Sequence, residues 1–504
     1  MPQITTTTYL TLLMGIAVAI FAVLFLPLSL RLDEAQSLWQ TSHSIGSLLG
    51  TLSKNVHVPL YHILLHEWQS LFGNSVLSAR LLSLLFFLAS IPALYGLSRY
   101  VYGRAVGLSA ATFFAISPFM NWFSSETRMY TLLVLLTIAS HYTFLRLLKN
   151  PTPATWGLYG AVAVVGIYTH YFFGLLLLSQ GLFYLINYKK YSIRAFWFLF
   201  STAALLVLAI SPWLYLVFNS GAIGEASALL ARPTTIDFFN VFSNFFFGFQ
   251  TDYVNSMLLS LWPFTVLFSF LALRNHKAQP RPETWYFFTT IVVPMTIALL
   301  ISLFLQPVFL SRYLILTLPA LLILTSRVIS LYSPSIRAWS HALVGILMLS
   351  TLALQALNPQ VPANEDYKAV SMYLNQHARA QDIIVVSAPF TIYPVNYYYD
   401  GPARIITMPS WNRYAGEAMG SFSVEEANVT AENLKGSYQR VWLLLSYDQG
   451  YESEVKRAFD ERYLRLEAHT IGPRLALYSY KLRHDVDYKE NYLTSGSSRS
   501  SQAQ

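Results

Sequence analysis

The sequence predicts a mainly α-helical, polytopic membrane protein with a C-terminal α/β domain outside the membrane. Apolar residues make up 54% of the 504-residue chain and charged residues only 12%, whereas an average soluble domain carries roughly 25% charged residues. Long apolar segments recur up to residue 356, and an ordinary density of charged residues returns after it. This composition excludes an ordinary cytosolic enzyme and a disordered chain, and it excludes a nucleic-acid-binding protein in spite of the net charge of +8.

About eleven transmembrane helices are predicted from the apolar segments, because a helix needs about 20 apolar residues to cross a bilayer. One long apolar stretch is divided at Thr169-His170. The predicted spans are Tyr9–Leu30, Val76–Leu97, Ala105–Ser117, Met129–Leu147, Thr155–Tyr168, Tyr171–Asn187, Ala195–Phe218, Met257–Leu273, Trp285–Leu305, Tyr313–Ser326 and Trp339–Ala356.

The charges between the spans predict the orientation. Up to Gln355 the chain has 18 Lys and Arg but only 8 Asp and Glu. Most of the basic residues fall in alternate short loops, which we expect to be cytoplasmic. Of the acidic residues, only Glu283 falls on that side. The N-terminus is therefore expected inside, and the long first loop, with its amphipathic helices, is expected outside together with the C-terminal domain.

Three regions follow from the change in composition. Residues 1–356 form the predicted transmembrane domain, residues 357–483 an extracytoplasmic α/β domain, and the Ser-rich residues 484–504 a disordered tail. In the α/β domain we expect helices at Asp366–Ala378 and Tyr451–Leu466, with strands at Asp382–Ser387, Arg404–Met408, Arg440–Ser446 and Ala476–Tyr480.

An adjacent pair of acidic residues, Asp33 and Glu34, follows the first span directly. One interpretation is that these carboxylates cap a helix or pair with Arg31. The other is a general base at the water–lipid boundary, because acidic groups are costly there unless they face water or partners.

Further along the same loop, His57 precedes a predicted amphipathic helix that begins near Pro59 and lies on the membrane. His62 and His66 lie four residues apart on that helix. Such a pair either binds a metal ion or fills the interface between protein and lipid. His57, at the start of the helix, is the better polar candidate.

Three cationic or potentially cationic residues lie at outer ends of predicted spans: Arg128, His170 and Arg312. Arg128 either forms a surface pair with Glu126, which stabilises little, or binds a phosphate group, whose oxygens match its planar fork. Arg312 either extends its head group to the interface or holds an anionic lipid head group.

Together these motifs resemble the C-type superfamily of glycosyltransferases, and within it the bacterial family-39-like branch near the protein O-mannosyltransferases and the aminoarabinose transferase of lipid A. The resemblance covers roughly Tyr9 to Ala356, and the family often has Pro where this chain has Val58. The matching motifs are Leu32-Asp33-Glu34, His57-x-Pro59-Leu60-Tyr61, Ser78-Ala79-Arg80-Leu81-Leu82, Glu126-Thr127-Arg128-Met129-Tyr130, Tyr168-Thr169-His170-Tyr171 and Arg312-Tyr313.

The resemblance implies a transferase of the bacterial inner membrane that moves a hexosyl or pentosyl group from a polyprenyl-phosphate-linked donor, with inversion. Asp33 matches the catalytic base and Glu34 a residue that orients the site. Arg128, His170 and Arg312 are implied to bind the donor phosphate.

The same resemblance implies further members of the site, which are Tyr61, Glu126 and Tyr130. Some relatives bind a divalent metal ion near the phosphate, and His57 is the expected ligand here. The acceptor is a glycan, a lipid or a protein.

Two other functions remain open at this point: a flippase or transporter of lipid-linked saccharides, and a ligase that transfers a whole lipid-linked oligosaccharide. A transporter is expected to carry charged residues inside its spans. Here the acidic residues gather in outer loops, which favours an enzyme.

Overall fold

The computed structural model describes residues 5–55, 57–220, 232–275, 281–358, 361, 364–414, 422–472 and 474–482. Glu225, Lys277 and the predicted tail 484–504 lie outside the described residues. The chain divides into two compact units: residues 1–28 with 36–362, and residues 29–35 with residue 363 onward. The short segment that carries Asp33 and Glu34 therefore groups with the C-terminal part of the chain.

The first unit is helical, and one further helix, α2, begins within the segment 29–35. A π-helical turn, Phe21–Phe25, continues the first helix. The helices are α1 (Thr6–Ile20), α2 (Leu32–Thr41), α3 (Ile45–Ser53), α4 (Leu60–Phe72), α5 (Val76–Tyr102), α6 (Arg104–Ile116), α7 (Pro118–Ser124), α8 (Tyr130–Lys149), α9 (Pro153–Thr169), α10 (Phe173–Ile186), α11 (Ile193–Asn219), α12 (Thr235–Phe247), α13 (Asp252–Leu259), α14 (Trp262–Asn275), α15 (Pro282–Phe304), α16 (Leu318–Ser330) and α17 (Pro334–Leu357).

Among the described residues, seven helical segments are long and apolar enough to cross a membrane, and an eighth if the pair α6–α7, bent by 60°, makes one span. The chain is thus a multi-pass membrane protein. Each of the eleven predicted spans is at least partly helical, but the number eleven is not confirmed. Helices α9, α10 and α16 have 17, 14 and 13 residues. At 1.5 Å per residue they are about 20–26 Å long, less than the roughly 30 Å hydrocarbon core.

Helix α5 lies in the core of the first unit, and its basic residue Arg80 is buried with 1% of its surface exposed. The Arg80 Nη1 atom donates to the carbonyl oxygens of Phe25 at 3.0 Å, Leu26 at 3.3 Å and Leu28 at 2.9 Å. Carbonyl groups at the end of a helix have no partner within that helix. Arg80 therefore donates to the carbonyl groups at the end of the first span. These hydrogen bonds account for the buried position of its guanidinium group in an apolar helix.

Helix α4 has two different faces, as the amphipathic pattern predicts. Tyr61, His62 and Leu65 are buried, whereas Leu64 and Leu71 are exposed. The exposed leucines leave an apolar stripe that suits contact with lipid, while the buried face carries the polar side chains of the candidate site.

The second unit is an α/β sheet domain. Its helices are α18 (Tyr367–His377), α19 (Ile392–Tyr398), α20 (Val424–Asn433) and α21 (Glu452–Asp460), and its strands are β1 (Asp382–Ser387), β2 (Arg404–Thr407), β3 (Arg440–Ser446), β4 (Leu464–Thr470) and β5 (Leu475–Lys481). The strand order is β2-β1-β3-β5-β4. Strands β1, β2 and β3 are parallel, and β5 and β4 complete the sheet antiparallel. One apolar core covers each face of the sheet.

The predicted helix Tyr451–Leu466 is wrong at its C-terminal end. The helix stops at Asp460, and Leu464 begins strand β4. The backbone of β4 pairs with β5, and this long-range pairing overrides the local sequence pattern. Helices α19 and α20 were not expected either.

Candidate functional site

The two predicted carboxylates lie in the first turn of α2. Glu34 is fully buried and accepts a hydrogen bond from the Arg31 backbone N–H at 3.0 Å, and the Arg31 Nε lies 3.4 Å from the same Oε2 atom. Asp33 is only half-buried. The capping interpretation therefore holds for Glu34, while Asp33 is the more exposed of the two carboxylates.

Two hydrogen bonds connect the segment 29–35 to the α/β unit. The Lys368 backbone N–H donates to Ser29 Oγ at 3.1 Å, and the Leu30 N–H donates to the Tyr398 hydroxyl at 2.9 Å. Lys368 lies in the first turn of α18 and Tyr398 ends α19. The segment that carries Asp33 is thus held by α18, which precedes strand β1 in the sequence, and by α19, which follows it.

Two residues of this unit, Glu365 and Tyr447, were not predicted. The Tyr447 hydroxyl donates to Glu365 Oε2 at 3.2 Å, and Glu365 is 1% exposed. Burial raises the pKa of Glu365, and the nearby Arg31 opposes that rise. Burial and the charges of Glu365 and Asp33 raise the pKa of Tyr447. These effects indicate that Glu365 and Tyr447 lie close to Arg31 and Asp33.

The position of this cluster agrees with the topology of the sheet. Strand β1 lies between β2 and β3, so the connections on its two sides run in opposite directions. Ligand sites of such sheets lie beyond the carboxyl ends of the strands at this switch point. Tyr447 directly follows the carboxyl end of β3, and Tyr367, at the start of α18, shares a 2.9 Å hydrogen bond with Ser446. Glu365 and Tyr447 therefore occupy the edge where a ligand site is expected.

In the first unit, Arg128 lies in a turn that joins α7 to α8. It is 4% exposed, and its Nη1 donates to Ser37 Oγ at 3.3 Å. The Ser83 hydroxyl donates to the Glu126 carbonyl oxygen at 2.7 Å and shares a 2.9 Å hydrogen bond with the Tyr61 hydroxyl. These contacts hold the turn and fix the direction of the buried guanidinium group.

Tyr130 begins α8 directly after this turn, and its ring lies 4.7 Å from the ring of Phe123. Glu126 is 6% exposed. The turn thus buries both of these predicted site residues together with Arg128.

His170 lies between α9 and α10 and is 7% exposed. Its Nδ1 accepts a hydrogen bond from the Phe172 backbone N–H at 3.1 Å, so in the neutral ring the proton is on Nε2. Burial, with Arg312 and Arg128, lowers the His170 pKa to about 4. The ring is therefore neutral at pH 7 and presents Nε2–H as a donor.

Arg312 lies next to Tyr313, whose ring also contacts His170. The Arg312 guanidinium carbon is 5.4 Å from the Tyr313 ring centre, and the His170 and Tyr313 ring centres are 5.5 Å apart. The structure thus brings Arg312 and His170, 142 residues apart in sequence, next to one aromatic ring.

His57 and His62 complete this group, with ring centres 5.7 Å apart. Burial lowers the pKa of both, and Arg128 adds to the effect. The His62 pKa falls to about 3, and His170 and Arg312 contribute at His57. Both rings are neutral at pH 7. His62 is 1% exposed.

The described residues bring no complete set of side-chain ligands for a divalent metal ion together. Within the described parts of the chain, no three His, Asp or Glu side chains come together as ligands. His66, the second histidine of the predicted pair, contacts the Thr41 carbonyl oxygen at 2.8 Å instead. The guanidinium groups of Arg128 and Arg312 also disfavour a cation beside His57. The metal role of His57 stays a prediction, and no step below depends on it.

The structure therefore groups four predicted residues, His57, Arg128, His170 and Arg312, in the first unit, and it adds His62. Two cations with neutral imidazole donors form a surface that suits an anion. Asp33 and Glu34 belong to the second unit, where the charge of Asp33 acts on Tyr447 and Glu34 pairs with Arg31. We name these groups the cationic cluster (His57, His62, Arg128, His170, Arg312) and the carboxylate cluster (Arg31, Asp33, Glu34, Glu365, Tyr447).

Comparisons with known proteins agree with the fold. The family model described as dolichyl-phosphate-mannose-protein mannosyltransferase matches residues 56–216. A comparison with curated protein sequences returns no match. The crystal structure of ArnT from Cupriavidus metallidurans bound to undecaprenyl phosphate aligns with a TM-score of 0.60 and 13% identity, over 94% of this chain and 98% of that one.

An archaeal structure aligns less closely. The Archaeoglobus fulgidus oligosaccharyltransferase in complex with Zn and sulfate has a TM-score of 0.51 and 12% identity, over 94% of this chain and 73% of that one.

The chain is a multi-pass membrane protein with the ArnT fold, and residues 56–216 are mannosyltransferase-like. Both findings agree with the resemblance predicted from the sequence.

Proposed function

We propose that the protein transfers one hexosyl or pentosyl group from a polyprenyl-phosphate-linked donor to an acceptor hydroxyl, with inversion, at the outer face of a bacterial inner membrane. The cationic cluster is the observation that carries this proposal. Arg128 is held in a buried position. Arg312 and Arg128 both lower the pKa of His57 and of His170, and His170 presents its Nε2–H as a donor. A lipid phosphate is the anion that a membrane-embedded site of this kind meets.

The donor side of the reaction follows from these charges. When the bond between the anomeric carbon and the phosphate oxygen breaks, the phosphate gains a full negative charge. Arg128, Arg312 and the Nε2–H of His170 stabilise that charge, and fixed donors aimed at a developing anion are usually the largest single contribution to catalysis. Because the histidines are neutral before the reaction, they add hydrogen-bond donors and no competing titration at pH 7.

The acceptor side is assigned to Asp33. Its carboxylate takes the proton of the acceptor hydroxyl as that oxygen attacks the anomeric carbon. Glu34 holds Arg31 and the start of α2 in place. The hydrogen bonds of Ser29 with Lys368 and of Leu30 with Tyr398 position the segment, and Glu365 contributes to its local charge. A single displacement of this kind inverts the anomeric centre and releases the polyprenyl phosphate.

The experiment is transfer of a labelled monosaccharide from polyprenyl phosphate by membranes that contain the protein. Asp33→Asn is expected to lose about 10²–10⁴-fold in rate, the usual contribution of a general base. Glu67→Gln is the matched control, because Glu67 is an exposed acid of the same loop, and its rate is expected to be unchanged. Equal transfer by the wild type and Asp33→Asn would overturn the assignment of the base.

The orientation remains part of this proposal, with the N-terminus in the cytoplasm and the α/β unit outside. The identity of the acceptor, whether glycan, lipid or protein, is not part of it. A ligase for lipid-linked oligosaccharides shares the outer-face chemistry but releases a different lipid product, and a flippase leaves the sugar on its lipid.

A further inference from the structure

A cavity of about 600 Å³ lies in the second unit, between α19, the edge strand β2 and the segment that follows β2. This volume is within the range of about 300–1,000 Å³ found for small-molecule sites. The lining residues used below are Asn396, Tyr399, Trp411, Asn412, Arg413 and Tyr414. None of them belongs to the cationic cluster or the carboxylate cluster.

Backbone hydrogen bonds fix the segment after β2. The Ser410 N–H donates to Glu426 Oε1 at 3.0 Å, the Trp411 N–H donates to Thr407 Oγ1 at 2.9 Å, and the Tyr414 N–H donates to Asn412 Oδ1 at 3.1 Å. The side chains of this segment are therefore presented from a fixed backbone. A preorganised site loses less conformational entropy when a ligand binds.

Arg413 lies close to two aromatic rings. Its guanidinium carbon lies 5.6 Å from the Tyr393 ring centre and 5.2 Å from the Tyr414 ring centre. Its Nη2 donates to the Tyr414 hydroxyl at 3.3 Å. In the amide orientation that satisfies both groups, Asn396 Oδ1 accepts from Arg413 Nη1 at 3.2 Å. The cavity thus has a cation of fixed position at its wall.

The lining combines flat aromatic rings with planar polar groups. Trp411 is half-buried with its ring 5.9 Å from that of Tyr393, and Tyr414 is 69% exposed. The apolar C–H face of a sugar ring packs on such aromatic faces. Amide and guanidinium groups offer paired donors and acceptors that match neighbouring hydroxyl groups. Arg413 is the charged residue among the described lining residues, and a guanidinium group forms its strongest hydrogen bonds with carboxylate and phosphate oxygens.

We propose that this cavity is a saccharide-binding site of the α/β unit, and that Arg413 makes it prefer a sugar that carries a carboxylate or a phosphate. Trp411 and Tyr414 pack against the sugar ring, Asn396 and Asn412 contact its hydroxyl groups, and Arg413 pairs with the acidic group. This goes beyond the proposed transfer reaction, because binding at this site needs neither the lipid donor nor Asp33.

The test is saturation-transfer NMR on the full-length protein in detergent, with glucuronate and glucose as probes and no lipid donor present. We expect saturation transfer to glucuronate, with a lower dissociation constant than for glucose. Arg413→Ala is expected to weaken glucuronate binding about tenfold, the effect of losing one important contact. Arg379→Ala is the matched control, because Arg379 is an exposed arginine of the same unit outside the lining.

Trp411→Ala tests the aromatic face, and Trp411→Tyr does so with less risk to folding because it keeps a ring against Tyr393. Both are expected to weaken binding of glucose and glucuronate alike. Absence of saturation transfer to either probe would overturn the proposal. Equal glucuronate binding by the wild type, Arg413→Ala and both Trp411 variants would overturn it as well. Equal affinity for the two probes would overturn the preference for an acidic sugar.

Discussion

Replacement of Arg128 by Gln is expected to weaken binding of the lipid donor strongly while the fold is kept. Arg128 is 4% exposed, so its guanidinium group is largely shielded from solvent. A hydrogen bond to a charged group contributes about 1.5–3 kcal/mol. Loss of that contribution raises the dissociation constant for polyprenyl phosphate about 10- to 150-fold. Arg128→Lys keeps the charge but loses the planar fork, so an intermediate effect is expected.

The assay is equilibrium binding of radiolabelled polyprenyl phosphate to the purified protein in nanodiscs, with thermal unfolding measured on each variant. Arg99→Gln is the control, because Arg99 lies near the C-terminal end of α5, with its guanidinium carbon 6.0 Å from the Tyr95 ring centre. Arg312→Gln tests the second cation of the cluster, in case Arg128→Gln unfolds. Affinities within twofold of the wild type for both Arg128→Gln and Arg312→Gln would refute the phosphate assignment.

Three further predictions concern stability and orientation. Arg80→Ala removes a buried donor that three carbonyl groups share, and loss of hydrogen bonds to a charged group costs about 1.5–3 kcal/mol, so a fall in melting temperature is expected, while an unchanged one would count against this capping role. A periplasmic reporter fused after Asn358 is expected to be active, and activity of a cytoplasmic reporter there would reverse the orientation. Glu365→Gln is expected to stabilise the protein at pH 7.5. Burial raises the folded-state pKa of Glu365, so the stability that this shift contributes is present at low pH and lost as pH rises through the folded-state pKa. Thermal unfolding at pH 7.5 and 4.5 checks this, and a gain that is larger at pH 4.5 would contradict it.

The sequence predicts the helices well where the length of an apolar run decides whether a helix forms. Long apolar runs give α1, α5, α8, α11, α15 and α17, because the bilayer fixes the required length. The same property does not decide whether the short helices α9, α10 and α16 cross the bilayer, so their assignment as spans stays a prediction. Strand β4 was missed because Leu464-Arg465-Leu466 suits the end of a helix as well as a strand. Only pairing with β5 decides between them.

Residues of the candidate site were predicted where they belong to a local sequence motif. They were missed where only contacts between distant parts of the chain bring them together. Arg128, His170 and Arg312 each begin or end a span, so sequence position pointed to the outer face. His62 was paired with His66 because they lie four residues apart on one helix, whereas the structure places its ring beside His57.

Glu365 and Tyr447 had no local signal. They are separated by 82 residues, and the sheet alone brings them together at the switch point beside the segment 29–35.

The stoichiometry and stereochemistry of one reaction test the central claim most directly. The wild-type protein is supplied with a doubly labelled polyprenyl-phosphate monosaccharide, and the lipid product and the anomeric configuration of the glycoside are measured together. The account predicts one polyprenyl monophosphate released per sugar transferred, with an inverted anomeric centre. Sugar that crosses the membrane while still attached to its lipid would contradict the claim, as would a retained anomeric configuration.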